Sequence, residues 1–389
     1  MKKGKLICIR KEEFAFYLSS FFLKIPSVLY SAVITAFLVQ CGYSMTKIGT
    51  IWSITLFAET VLDFPTGGFA DKYGRLKIFM IGMVMMGVAR ILYTFGGYSI
   101  LTVYFAAFLM GAGESQVSGT ITPWFISSLR EKNKSYIRKV FSTDTIISNI
   151  LGVLTGFVFS LFHFNYSQAL KYAGIIQIIG GFSLYMFFKD NKGSQSTVKN
   201  NLKQSLFQYA HNKNLILCTL LMCMLYSFYT VYLFVWQPAG KNFGIEGTKT
   251  GFINSLYLLS LSIGSWITKK DLISKKFHNI SFVLLCMSIP IIVVSTYISV
   301  YILGIVMYGI GYGMTLPYVS SQIQLCIGDT FRASLTSLVS SISSLALVFI
   351  QIIIGKLIDV YGMHSILLFT LSIAIVSDIA MRKIENDTD

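Results

Sequence analysis

Asp63-Phe-Pro-Thr-Gly-Gly-Phe-Ala-Asp71-Lys-Tyr-Gly74-Arg75-Leu-Lys77 separates two long apolar runs with a glycine, an aspartate and a Gly-Arg pair at fixed spacing, G-x-x-x-D-x-x-G-R-x-K. In a chain whose mean hydropathy is +0.66, so short a charged turn between two apolar segments must be tight and must lie at a membrane surface. Gly67 and Gly74 suit close helix approach and a turn with positive φ. Asp71, Arg75 and Lys77 are placed to pair with neighbouring helix ends. On physics alone the same stretch also reads as a plain tight turn that keeps basic residues on the cytoplasmic side.

The rest of the chain agrees with a membrane setting. Of 389 residues, 54% are hydrophobic and only 13% charged, too apolar and too long for one soluble core. A crossing needs roughly 20 apolar residues, and the sequence divides into about twelve such runs: 14–39, 46–69, 76–96, 99–127, 140–163, 167–188, 214–238, 247–268, 279–299, 301–324, 333–355 and 361–381. The fold class expected is therefore an all-α polytopic membrane protein. The net charge of +15 could point to nucleic acid, but the positions of the charges argue otherwise. With both termini in the cytoplasm, Lys47, Lys171, Lys241, Lys249 and Lys356 are outside, Lys24 and Arg90 lie within spans, and every other Lys and Arg is cytoplasmic. That bias reads as topology in the cell membrane and contact with anionic lipids, with no nucleic-acid partner. The basic N-terminus lacks the apolar core and cleavage site of a signal peptide. Six cysteines are scattered without C-x-x-C pairing, and read as small membrane hydrophobes.

The 63–77 stretch resembles the signature of the major facilitator superfamily, in the short cytoplasmic loop between its second and third membrane helices, and Pro65-Thr66-Gly67 is also common there. The resemblance implies twelve transmembrane helices in two six-helix pseudo-symmetric bundles, here 1–188 and 214–389, joined by the polar linker 189–213. It implies a monomer, and a conformational latch in Gly67, Asp71, Gly74, Arg75 and Lys77. Asp71 would meet the start of the span 333–355, and Arg75 a neighbouring acid or carbonyl. A degraded counterpart of the loop follows Gly264, and Gly355-Lys-Leu-Ile-Asp359-Val-Tyr-Gly362 echoes the G-x-x-x-D-x-x-G spacing on the outer side. The chain departs from the drug/proton antiporters of the superfamily in two places. No proline follows Gly152-Val-Leu-Thr-Gly156, and the fourth span lacks their Arg-centred pattern.

Charges inside spans are costly unless paired or facing water. Lys24 either faces a water-filled path or snorkels to the interface. Glu59 and Arg90 stand at similar depth in the second and third spans, so an ion pair between them is the economical reading, more structural than substrate-binding. Glu59 also belongs to the proton-coupling candidates. Glu114, near the midplane of the fourth span, follows Gly111-Ala-Gly113, whose small residues allow close packing. In the superfamily the first, fourth, seventh and tenth helices line the central cavity, so the resemblance would expose Glu114 to the transport path. A carboxyl in low dielectric can exchange protons near neutral pH; the alternative is a Glu114 permanently braced by Lys24 or Arg90.

Candidate substrate contacts are Lys24, Glu114, Gln116, Tyr229, Tyr232, Tyr308, Tyr312 and Gln322. Tyr308 and Tyr312 share a face, and aromatics beside amides suit a bulky, partly apolar or cationic ligand. The same aromatics also fit ordinary packing and an interfacial belt. There is no phosphate-binding Gly-Lys loop, no cluster of metal ligands, and the four histidines are dispersed, so neither an enzyme nor a cofactor is expected. The leading expectation is proton-coupled efflux of an amphipathic small molecule or peptide by alternating access. The alternatives are an importer of a polar nutrient, proton-coupled or facilitative, and a non-transporting receptor or scaffold.

Overall fold

The computed structural model describes residues 11–129, 134–162, 164–192, 206–269, 275–327 and 332–388. Among them the ordered elements are all helical: α1 (Lys11–Gln40), α2 (Met45–Tyr73), α3 (Arg75–Tyr93), α4 (Ile100–Ser118), α5 (Ile121–Ser128), α6 (Lys134–Leu161), α7 (Tyr166–Phe187), α8 (Lys213–Lys241), α9 (Lys249–Lys269), α10 (Lys275–Val294), α11 (Ile298–Cys326), α12 (Arg332–Tyr361) and α13 (Ser365–Thr388). Eight helices, with α4 and α5 taken as one, are long and apolar enough to cross a membrane by length and composition, and Ile280–Val294 and Ser365–Ser377 are shorter apolar helices. α2, which carries Glu59 and Asp63, is not among the eight.

Local chemistry explains the helix ends. Gly74 joins α2 to α3 with φ +112°, a backbone that side chains rarely adopt. Its N–H bonds back to the Ala70 carbonyl at 3.1 Å, and a Cβ there would strike the Asp190 carboxylate. Asp190 caps α3, accepting from the N–H groups of Leu76 (2.7 Å) and Lys77 (3.1 Å). Asn165 forms a reciprocal capping box with Gln168 at the start of α7. The expected span 99–127 is broken at Gly119–Thr120. Pro123 cannot donate to the carbonyl four residues back, and Gly119 adds backbone freedom at that same point.

α4 packs on both α2 and α3, while α3 also packs on α7. Later in the chain α11 packs between α9 and α10, and α8 lies against α11, α12 and α13. Two long seams join earlier helices to later ones, α2 with α12 and α6 with α9. Their described hydrogen bonds lie toward the end remote from Arg75. Asp359 caps α2 by accepting from Met45 N (2.9 Å), Thr46 N (2.8 Å) and Thr46 Oγ1 (2.6 Å). Ser53 donates to the Val348 carbonyl at 2.6 Å, and Ser255 to that of Val153 at 2.7 Å. Gln237 of α8 accepts from Ala36 N (2.6 Å) and donates to the Ser31 carbonyl (3.0 Å) of α1. Around Arg75, by contrast, the described hydrogen bonds stay within residues 70–191.

Candidate functional site: charges between α2, α3 and α4

Gly111 sets the spacing of the charged site. A Cβ there would run into the Thr55 carbonyl oxygen and lie 3.0 Å from the Glu59 amide nitrogen, so only glycine lets α4 approach α2 this closely. One turn along α4 from Gly111, Glu114 is half-buried, as is Glu59 on α2. The two carboxylates lie within electrostatic reach of each other, and Glu59 also feels Asp63 one turn away. Asp63 is exposed and accepts a 2.7 Å hydrogen bond from Ser118 Oγ.

Arg90 is fully enclosed, 1% exposed. Its Nη2 reaches Ser27 Oγ at 3.5 Å and its guanidinium lies 5.5 Å over the Tyr30 ring, while Nε and Nη1 have no hydrogen-bond partner among the described residues. The Tyr30 and Tyr93 rings adjoin at 5.8 Å. The expected Glu59–Arg90 ion pair is absent among the described residues. The carboxylate bearing on Arg90 is Glu114, because α4 packs against α2 and α3 both, whereas α2 and α3 touch each other far less. Equal depth in the membrane did not make Glu59 and Arg90 neighbours.

Other expected contacts are distributed differently. Lys24 is half-buried, with its Cε and Nζ beside Gly152 of α6 and no carboxylate pairing with it among the described residues; it is braced by packing and does not brace Glu114. Gln116 lies with its Cβ against Gly82 of α3, in a helix seam. The four tyrosines do converge. Tyr232 and Tyr308 stack at 4.1 Å and 4°, Tyr308 and Tyr312 lie at 5.8 Å, and Tyr229 and Tyr312 at 5.6 Å. Tyr257 of α9, absent from the expected set, completes the cluster at 4.9 Å from Tyr232. The hydroxyls of Tyr232 and Tyr308 are buried without a partner among the described residues. Gln322 is half-buried ten residues beyond Tyr312, about 15 Å along the helix, and does not join them.

In the 63–77 stretch, Asp71 pairs with Arg75 at 2.9 Å. Arg75 also donates to the Pro123 carbonyl (3.0 Å) and Ser127 Oγ (2.6 Å). Its backbone N–H bonds to the Asn191 carbonyl at 3.0 Å. Lys77 extends an exposed side chain. Gly67 falls in the stretch 64–68 of α2, and the first residues of α12, 332–334, follow 328–331; all of these lie outside the residues whose surroundings are described.

A family model described as Major Facilitator Superfamily matches residues 14–349. The chain belongs to the Major Facilitator Superfamily. It is a multi-pass membrane protein of a transporter family and not an enzyme. Among curated superfamily relatives, it is 22% identical over 375 residues to the quinolone resistance protein NorA of Staphylococcus aureus (strain MRSA252), covering 91% of each chain. Its fold is similar to the crystal structure of the nucleoside transporter NupG, with a TM-score of 0.80, 13% identity, and 96% and 99% of the two chains covered. It is also similar to a POT family transporter in complex with 5-aminolevulinic acid, with a TM-score of 0.77, 14% identity, and 99% and 98% covered.

Proposed function

We propose that this chain is a secondary active transporter of the plasma membrane that exports an amphipathic small molecule or peptide in exchange for protons, working by alternating access. Taking α4 and α5 as one interrupted span, α1–α7 make six crossings and α8–α13 six more, a twelve-helix protein of two bundles joined by the linker 189–213. Export is favoured by the similarity to the quinolone resistance protein NorA.

The observation that carries the coupling is the half-buried pair Glu59 and Glu114 beside one enclosed guanidinium. Two carboxylates within electrostatic reach of each other, of which Glu114 alone bears on the one fixed cation, leave an uncompensated negative charge. A proton on Glu114 removes it, and that difference in charge can shift the balance between inward- and outward-facing states. With the termini cytoplasmic, the hydrogen-bonded end at Asp359 is external, so this is a state shut to the outside. Among the described residues Asp71 pairs with Arg75, the contact a latch residue would hold within its own loop. In the tyrosine cluster of α8, α9 and α11, Tyr229 alone is only half-buried, and it is the ring placed to stack on the apolar part of a substrate.

The test follows proton release from energised inverted vesicles with a pH-sensitive dye, on adding lipophilic cations, antibiotics and short peptides, for wild type and Glu114→Gln. A substrate-evoked signal in wild type that E114Q lacks is the expected result. An unchanged signal in E114Q removes Glu114 as the proton carrier. Silence in wild type, with uptake of labelled nutrients by intact cells, would establish the importer instead.

A further inference from the structure

Arg90 is under-satisfied in a place where that is costly. A guanidinium has five N–H donors, and here one nitrogen reaches a serine hydroxyl at 3.5 Å while Nε and Nη1 bond to nothing among the described residues. At 1% exposure they are cut off from bulk solvent, and an unpaired buried charge costs several kcal/mol.

The groups around it narrow the choice of partner. From α1 come Ser27 and the Tyr30 ring. On the α7 side, the polar group described along this part of α3 is the neutral amide Gln177, whose Nε2 lies 3.3 Å from the sulfurs of Met83 and Met86, two turns and one turn before Arg90. From α3 itself comes Tyr93. From α4 comes Glu114. α2 contributes Glu59, and through it Asp63, which bear on Glu114. The α3–α4 seam is tight at this level: a Cβ on Gly113 would lie 2.6 Å from Met86 Cγ. Arg90 stands one turn beyond Met86, and its side chain leans back toward that turn, which brings the guanidinium to the level of Glu114.

We infer that Arg90 is the resident counter-charge of Glu114, bonding the carboxylate directly when Glu114 has lost its proton and parting from it when the proton is taken up. The parted arrangement is the one seen here, with the two spare nitrogens held in reserve beside Tyr30. Arg90 is thus a positioning residue that sets how tightly Glu114 holds its proton. Glu59 acts in the opposite sense, as a second negative charge that favours the proton. This rests on Glu114 being the proton carrier.

The test is infrared difference spectroscopy of the purified full chain across pH, following the carboxylic C=O band that E114Q lacks. Arg90→Gln removes the cation that favours the charged carboxylate, so the midpoint of that band should rise by about one to three pH units, while Arg90→Lys stays close to wild type. An R90Q midpoint equal to wild type overturns the pairing and leaves the proton-carrier reading standing. A Glu114 band that does not titrate in wild type overturns both. Should R90Q fail to fold, the neutral pair R90Q/E114Q should recover folding, because neither charge is then left alone. A double variant as defective as R90Q also overturns the pairing.

Discussion

The α2–α4 site and the α8–α11 tyrosine cluster bring polar groups into the same apolar layer in opposite ways. Glu59 and Glu114 stay half-buried and Arg90 alone is enclosed, so the charged site is not sealed as completely as the rings are. The tyrosines close their stack, with Tyr308 fully enclosed and Tyr232 2% exposed, and leave two hydroxyls without partners. A charge in lipid needs a counter-ion, a proton or water, which makes the first site a place where occupancy must change. A phenol buries most of its surface as an apolar ring, so the second can remain static.

The comparison breaks most visibly at Gly111. A leucine there cannot coexist with the Thr55 carbonyl, so G111L should separate α2 from α4 and lose transport, with a destabilisation of about 3 kcal/mol by thermal unfolding. A stable, active G111L would mean that the close approach does not organise the charged site. Asp190→Ala is expected to cost about 1 to 2 kcal/mol, because two α3 amides lose their acceptor, and to do so without altering the proton signal. Loss of coupling at normal stability would place the α2–α3 turn inside the proton pathway.

Tyr232→Phe sharpens the contrast from the other side. If the cluster is a static core, removing an unpartnered hydroxyl should raise stability by about 1 kcal/mol and leave substrate affinity intact. A fall in affinity would show that the phenol meets a ligand. The smallest stability effect belongs to Asp71→Asn. Its ion pair is partly solvated, worth under about 1 kcal/mol, so D71N should leave melting and affinity near wild type while biasing exchange between conformers, read by site-directed labels at the two ends. Weakened affinity with normal exchange would contradict the latch.

Much of this was legible in the residues. The 63–77 stretch led from spacing to a tight membrane-surface turn and to the superfamily, and Gly74 does take the positive φ that its position suggested. The pairing of Tyr308 with Tyr312 followed from a one-turn spacing on one helix. Partners across helices did not follow. Glu59 and Arg90 matched in depth, yet Arg90 faces Glu114. Asp190, read as the start of a polar linker, caps α3. Tyr257 carried no signal beyond one aromatic in an apolar run.

By itself, then, the sequence determined what each segment can be: helices long and apolar enough for lipid, turns where glycine and charge allow them, and a handful of ionisable groups too costly to be idle. Those outcomes rest on local rules of period, length and transfer free energy, which act over a few turns of chain. Which charge answers which, which end is fastened and which aromatics stack were decided only by tertiary structure. Those depend on how helices far apart in sequence cross, and a single glycine contact such as Gly111 against Thr55 changes the crossing.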